Sequence, residues 1–343
     1  MNILFDLVHP ADVNLFKNAI TILAQRGDKV FVAYRERGIL EKIAKSELPG
    51  FDVIRLGKHK KSLAGKIFSV PFREFQCFNY FRKNKIDIVV CQGLTCGIAC
   101  KLLNIKILHY DDDSEYKLTF YLGKLLANID LMPDFMPGDG RNIVKHKGFK
   151  ELAYLHPTYF KPNVRSLADY NVNPSGYVFI REISNVSVNY QHPRVDLNAI
   201  VDYLVSRNLK IILSIENKAE VAKYADRCII LKEPVPNLHM LIYYAKFVIS
   251  SGDTMAREAC LMGVPCIYTG GREMLANTQF TNLDVMYKIE DISEIHSKID
   301  FLLDPANTDR IRNQMNELVT TRFDDTNKVI LEQVYKLQKS IKS

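Results

Sequence analysis

Ser250-Ser-Gly-Asp-Thr-Met-Ala-Arg-Glu-Ala-Cys-Leu-Met-Gly-Val-Pro-Cys-Ile-Tyr268 closes one apolar run, turns on small polar residues and opens another. The run Phe247–Ser250 reads as a strand and the segment from about Thr254 as a helix. Gly252 removes a side chain where a ligand phosphate would approach. The N–H groups of the first helical turn point outward with the positive end of the dipole. Glu258 follows Thr254 by four residues and shares its helix face. In that geometry Ser251, Gly252, Asp253 and Thr254 hold a diphosphate, and Glu258 accepts from ribose hydroxyls. Gly263 and Pro265 close the helix and start the next strand. The same spacing suits an ordinary strand-loop-helix with Ser, Asp and Thr capping, and the pattern alone leaves both readings open.

Around this stretch the chain alternates strand and helix. Strands are expected at Tyr177–Arg181, Lys210–Ile215, Cys228–Leu231 and Pro265–Tyr268, and helices at Val195–Arg207, Leu238–Ala245, Met255–Met262 and Ile292–Leu303. Thr308–Thr321 and Thr326–Lys339 also read as helices. The first half repeats the pattern. Ile3–Val8 is an apolar run of the kind buried on both faces of a sheet. Val13, Phe16, Ile20 and Leu23 then recur at helical spacing. Lys29–Tyr34, Asp52–Leu56, Ile86–Cys91, Lys106–His109 and Ile129–Met132 continue the strands. Such units give a parallel sheet with helices on both faces. Between the halves, 133–175 is rich in Pro and Gly and reads as loop and linker. The expected division is 1–165, 166–322 and a terminal helix, 323–343, crossing back to the first domain. Two Rossmann-like halves of this kind place ligands at the C-terminal ends of their strands.

With 343 residues, 47% of them hydrophobic and 25% charged, the chain suits two soluble globular domains and excludes a disordered or collagen-like chain. No apolar run reaches the ~18–20 residues of a membrane span. The N-terminus lacks the basic start and cleavage site of a secretory signal, so a cytoplasmic protein is expected. Seven cysteines without a paired pattern read as buried thiols in a reducing compartment. The net charge of +7 suits phosphate-bearing ligands or an anionic membrane. No zinc finger, basic-leucine pattern or concentrated basic arm points to nucleic acid.

The stretch 250–268 resembles the nucleotide-binding signature of GT-B fold sugar enzymes. It is similar to the non-hydrolysing UDP-N-acetylglucosamine 2-epimerases, in which a Ser-Gly-Gly turn precedes Glu-Glu-Ala and Leu-Gly-Val-Pro. A closer resemblance, over almost the whole chain, is to a GT-B-like family of archaeal and bacterial proteins that goes under the label of a domain of unknown function. It rests on His9-Pro10-Ala11, Asp112-Asp113-Ser114-Glu115, the long element from Gly148 through Phe149-Lys150-Glu151-Leu152-Ala153-Tyr154-Leu155-His156-Pro157, and Thr254-Met255-Ala256-Arg257-Glu258-Ala259. The resemblance implies an α/β, GT-B fold of two Rossmann-like domains facing a cleft.

Departures from the epimerases shape the expected chemistry. Where they carry His-Gly-Asp-Thr and His-Val-Glu-Ala-Gly, this chain reads Gln92-Gly93-Leu94-Thr95 and His109-Tyr110-Asp111-Asp112. Leu94 cannot move a proton, whereas elimination and re-addition of UDP need acid and base groups around the sugar. A glycosyl transfer needs one base and stabilisation of the departing UDP. His9, after the first strand, is a candidate base or a helix cap beside the expected N-cap Asp12. Among Asp111–Glu115, Asp112 and Glu115 are the catalytic candidates, since mutual repulsion raises a carboxylate pKa. The crowded carboxylates also fit Mg²⁺ or an acidic helix start, but GT-B enzymes generally need no metal, and none is expected here. Arg181 ends a strand and is a candidate diphosphate clamp, competing with a surface salt bridge to Glu182. His192 lies in the same loop. Glu216 is a candidate cleft residue or cap, and Pro236-Asn237-Leu238-His239 a candidate base-binding turn.

The leading expectation is a UDP-sugar-dependent glycosyltransferase building a surface polysaccharide or glycolipid, with a nucleotide-sugar donor and a sugar or lipid-linked acceptor. The alternatives are a UDP-N-acetylhexosamine 2-epimerase and a non-catalytic nucleotide-sugar-binding protein. The basic, aromatic stretch 58–85 fits either a helix packed on the core with a solvated rim or peripheral contact with the inner face of the cell membrane. Pro71 is expected to break it.

Overall fold

Apolar side chains buried on both sides set β1 (Asn2–Leu7) inside a parallel sheet. The computed structural model describes the chain except residues 59–62, 116, 184–194, 233–234 and 343, together with the side chains of 63–68, 118 and 119. After β1 come α1 (Pro10–Gln25), β2 (Lys29–Glu36), α2 (Leu40–Glu47), β3 (Val53–Lys58), α3 (Leu63–Asn84), β4 (Ile88–Cys91), α4 (Gly97–Leu102), β5 (Lys106–Tyr110), α5 (Lys117–Leu126), β6 (Ile129–Pro133), β7 (Ile143–His146) and α6 (Leu152–Leu155). The sheet order is β3-β2-β1-β4-β5-β6-β7, with every pairing parallel. The order reverses direction between β1 and β4, so the crossover helices divide between two faces. Helices α3, α4 and α5 share one face, and α1 and α2 lie on the other.

The second sheet contains β8 (Tyr177–Glu182), β9 (Lys210–Ile215), β10 (Ile229–Ile230), β11 (Val248–Ser250), β12 (Cys266–Tyr268) and β13 (Met286–Lys288). It is also parallel, in the order β10-β9-β8-β11-β12-β13. Its helices are α7 (Leu197–Ser206), α8 (Leu238–Tyr243), α9 (Asp253–Leu261), α10 (Leu275–Asn282), α11 (Ile292–Leu303) and α12 (Pro305–Thr321). The last helix is α13 (Thr326–Lys342).

Contacts divide the chain into two units, Met1–Tyr159 with Phe323–Ser343, and Phe160–Arg322. The first therefore contains α13, and the division falls at Tyr159 rather than at 165. The long element from Gly148 to Pro157 explains how α13 is held. Phe149 is buried against Phe135 and Phe323. Thr326 Oγ1 donates to the Phe149 carbonyl at 2.8 Å, and Asn327 Nδ2 donates to the Ala153 carbonyl. Asn18 Nδ2 of α1 reaches the same Ala153 carbonyl at 2.8 Å. The stretch expected to be linker is thus a buried crossing of chain within the first unit.

Two sequence expectations change. Pro71 lies inside α3 and does not break it. The ring faces solvent, one N–H drops from the ladder, and Arg73 and Glu74 anchor the next turn in the interior. The loop-rich reading of 133–175 omitted β7, and β13 and α10 were likewise unforeseen.

Candidate functional site

Register brings a row of polar residues together in the first unit. Asp6 pairs with Cys91, Cys91 with His109, and His109 with Asp130 across β1, β4, β5 and β6. Arg73 from α3 closes on the row: Nη2 donates to Asp6 Oδ1 at 2.5 Å, Nη1 to Thr95 Oγ1 at 2.6 Å and Nε to the Leu56 carbonyl at 2.8 Å. Both charged groups are only 1% exposed. At the other end, His109 Nε2 donates to the Gln92 carbonyl at 2.8 Å and Nδ1 lies 2.7 Å from Asp130 Oδ1. Burial opposes the imidazolium, but the hydrogen bond and charge of Asp130, with Asp111 beside it, raise the His109 pKa. The Oδ2 atoms of Asp111 and Asp130 are buried without a hydrogen-bond partner. Among the described residues, His109, Asp111 and Asp130 are the set whose ligating atoms lie within 4.8 Å of one another. Both His109 ring nitrogens are already engaged, so metal ligation would break one of these bonds.

Above this row, at the C-terminal ends of β1, β4 and β5, stand Asp112, His9 and Asp12. Gln92 Nε2 donates to Asp112 Oδ1 at 2.6 Å, and Lys150 Nζ lies 2.7 Å from Asp112 Oδ2. Asp12 Oδ2 accepts from the Val8 and His9 backbone at 2.7 and 2.9 Å, while His9 Nδ1 accepts from Ala11 at 3.2 Å. His9 is therefore the N-cap, and Asp12 closes a capping box from the third helical position. Acceptance at Nδ1 leaves the neutral ring's proton on Nε2. Surrounding protein, then Arg37 and Lys150, lower the His9 pKa to about 4. The neutral His9 ring thus presents an N–H at Nε2.

Asp111 is the stronger base candidate. Its carboxyl is 5% exposed, and burial raises its pKa to about 6, with His109 pulling it down. Repulsion among Asp111–Glu115 was expected to supply that shift, but burial is its main cause. Glu115 is exposed in the turn before α5, where its N–H donates to Asp113 Oδ1 at 3.0 Å. The structure thus brings His9 and Asp112 together with Lys150, Gln92 and Asp111, and leaves Glu115 at the surface. Lys150 and Gln92 stood inside quoted motifs, but only register and burial reveal their roles. Leu94, in the epimerase acid position, lies in the apolar core with Cys96 and Ala99.

In the second unit, register aligns Ser214, Arg181, Ser250 and Tyr268 across β9, β8, β11 and β12. Ser250 Oγ accepts from Gly252 N at 3.1 Å and donates to the Gly252 carbonyl at 2.8 Å, fixing the turn. Ser251 Oγ accepts from Ile183 N at 3.0 Å. A Cβ at Gly252 would lie 3.1 Å from Ile183 Cγ2, so the turn fits closely against the end of β8. Gly252 caps α9, and the helix N-terminus opens at the C-terminal edge of the sheet. Asp253 is buried, accepting from the Tyr268 hydroxyl and, at 3.1 Å, from Arg272 Nη1. It braces the turn and positions Arg272, which the sequence reading had not singled out. Thr254 is half-buried one residue further on.

Arg181 Nη1 donates to Ser214 Oγ at 2.8 Å, and Nη2 pairs with Glu216. The Arg181 guanidinium is therefore held by Ser214 and Glu216. Glu258 is buried one turn into α9, its Oε1 3.1 Å from His239 Nε2. The proposed ribose acceptor thus meets the first turn of α8, which the sequence reading had treated separately. His192 lies outside the described residues.

Comparison with known proteins agrees with this architecture. Residues 1–339 match the family described as protein of unknown function (DUF354). An uncharacterized protein of Methanocaldococcus jannaschii is 23% identical over 315 residues, covering 86% of this chain and 89% of that one. The UDP-GlcNAc 2-epimerase of Neisseria meningitidis, solved with UDP-GlcNAc bound, superposes with a TM-score of 0.70 at 12% identity, over 98% of this chain and 100% of that one. The M. jannaschii UDP-GlcNAc 2-epimerase gives 0.64 at 14% identity, over 98% and 100%. A glycotransferase of kitacinnamycin gives 0.65 at 11% identity, over 98% of each chain. The shared fold is GT-B, two Rossmann-like domains built on parallel sheets.

Proposed function

Because the chain belongs to the DUF354 family and has the GT-B fold, we propose that it is a nucleotide-sugar-dependent glycosyltransferase using a UDP-sugar. The observation that carries this reading is the N-terminus of α9 at the edge of its sheet, with the stem of Arg181 against Gly252 and Arg272 paired to Asp253. A diphosphate there meets helix N–H groups and two guanidinium groups. Glu258 and His239 stand one turn away for the ribose hydroxyls. Transfer also needs a base for the acceptor hydroxyl, and within the first unit ionised Asp111 is the candidate. The acceptor oxygen bonds to the anomeric carbon as that carbon's bond to the diphosphate oxygen breaks, and UDP departs with the electron pair. The α9 dipole, Arg181 and Arg272 stabilise the departing charge, so this reading uses no resident metal.

Epimerisation at C2 of a UDP-N-acetylhexosamine is the second reading, favoured by the buried Asp111 at the position of an epimerase acid. Leu94 argues against it. Incubation with a panel of UDP-sugars, with and without sugar and lipid-linked acceptors, separates the two. Acceptor-dependent UDP release supports transfer, and acceptor-independent interconversion supports epimerisation. Binding without turnover would leave a nucleotide-sugar-binding protein.

The nucleotide assignment has its own test. A charge-assisted hydrogen bond contributes about 1.5–3 kcal/mol, roughly ten- to hundredfold in affinity. Glu258→Gln should weaken UDP by that factor in calorimetry, with pyrophosphate binding and the unfolding temperature little changed. Unaltered UDP affinity in the folded variant would reassign Glu258 to bracing His239 and α8.

A further inference from the structure

The outer face of α3, α4 and α5 carries large apolar side chains that no described residue covers. Phe72 and Phe75 of α3, Ile98 and Leu102 of α4, and Tyr121 and Leu125 of α5 are each more than half exposed. The helices form one layer. Glu74 of α3 accepts from the Ile98 and Ala99 N–H groups at 3.2 and 2.9 Å, tying α3 to the start of α4. A Cβ at Gly97 would lie 2.8 Å from Leu126 Cδ1, so α4 meets α5 equally closely. Paired exposed side chains thus recur on three adjoining helices, whereas exposed apolar residues elsewhere are more scattered.

Charge accompanies them with one sign. Glu74 is the only carboxylate in the three helices, and it is buried in the joint just described. Arg82, Lys83, Lys101 and Lys117 are exposed, and the Lys124 ammonium lies 4.0 Å from the centre of the Phe120 ring. Apolar side chains set among cations, with no exposed carboxylate on these helices, match a surface that is negative outside and hydrocarbon within. A self-complementary contact between two copies would bring like charges together and leave them without counter-ions.

We propose that the α3–α5 face docks the protein on an anionic lipid bilayer. Phe72, Phe75, Leu102 and Leu125 enter the headgroup boundary while the lysines lie among lipid phosphates. The proposal extends the basic, aromatic character of 58–85 to α4 and α5, and it stands apart from the chemistry at either sheet edge.

The test is co-sedimentation of the full chain with vesicles of phosphatidylcholine, with and without phosphatidylglycerol. Binding is expected to the anionic vesicles only, falling as sodium chloride rises from 0.1 to ~0.5 M. Leu102→Ser with Leu125→Ser should reduce binding roughly tenfold or more. Lys101→Glu with Lys117→Glu should do so by a similar factor. Both pairs are at the surface, so the unfolding temperature should be nearly unchanged. Should the apolar pair prove unstable, the charge-reversed pair decides alone. Equal binding to both vesicle types, or to neither, overturns the proposal. So does a concentration-dependent dimer in sedimentation equilibrium that the same substitutions dissociate, because the face would then be covered by a second copy.

Discussion

Asp111 bears an energetic cost that its neighbours only partly relieve. Burial raises its pKa from 3.8 to about 6, and Oδ2 has no hydrogen-bond partner. In that window the native state binds more protons than the unfolded chain, so this residue's contribution to stability falls as pH rises from about 4 through 6. Asp111→Asn removes the ionisation. The variant should therefore be more stable than the parent at pH 8, by up to about 3 kcal/mol, with the difference vanishing near pH 4. Denaturant unfolding at the two pH values checks the sign. As a general base Asp111 must be ionised, so turnover should rise with pH through about 6, and the variant should lose that limb along with most activity. A stabilised but fully active variant would remove Asp111 from the chemistry. None of this was legible in the run of four carboxylates, where Asp112 and Glu115 looked equivalent. Lys150 and Gln92 distinguish Asp112, and exposure sets Glu115 aside.

At the scale of elements, packing overrides local preference. In an isolated helix Gly→Ala stabilises by about 1 kcal/mol. In α5 the sign should reverse, because a Cβ at Gly123 would stand 2.7 Å from His109 Nδ1 and 3.1 Å from Asp130 Oδ2. Gly123→Ala must displace the helix or break the His109–Asp130 contact, at a cost of about 1–3 kcal/mol. Thermal unfolding of the variant tests this, and an unchanged or higher midpoint would contradict the packing. Inner strands such as β1 and β4 were readable because burial on both faces demands continuous apolar runs. The edges were not. β7 buries only His146 and carries the exposed Lys145, while β13 is three residues long. The α9 turn was legible for a different reason, since a glycine between a strand and a helix marks a close approach, here to Ile183 Cγ2, 3.1 Å from where a Cβ would stand. Its partners Arg272 and His239 are set by neighbouring elements and leave no local pattern.

The whole molecule combines a continuous unit with a discontinuous one. Phe160–Arg322 holds a complete six-stranded sheet with its helices. The first unit needs α13, whose Ile330, Leu331, Val334 and Leu337 are buried against it. Residues 160–322 expressed alone should therefore unfold cooperatively, whereas a chain ending at Arg322 should lose the first unit's transition. Calorimetry of both checks this, and a retained first-unit transition in the truncated chain would show α13 to be dispensable. Asn18, Thr326 and Asn327 converge on the backbone of 149–153. The long conspicuous sequence element is accordingly explained by this docking, and it also carries Lys150 to Asp112.

That arrangement has a consequence for biosynthesis. A ribosome finishes Met1–Tyr159 and must then translate all of Phe160–Arg322 before α13 emerges. At ordinary elongation rates this interval is roughly 8–30 s. Throughout it α1 and α6 lack the helix that covers them, and the Phe149 and Ala153 carbonyls lack their donors from α13. The later-made half has every strand of its sheet first and can fold while the earlier-made half waits. The nascent chain therefore matures out of the order in which it is written, and the waiting surface is where a trigger-type chaperone would find it.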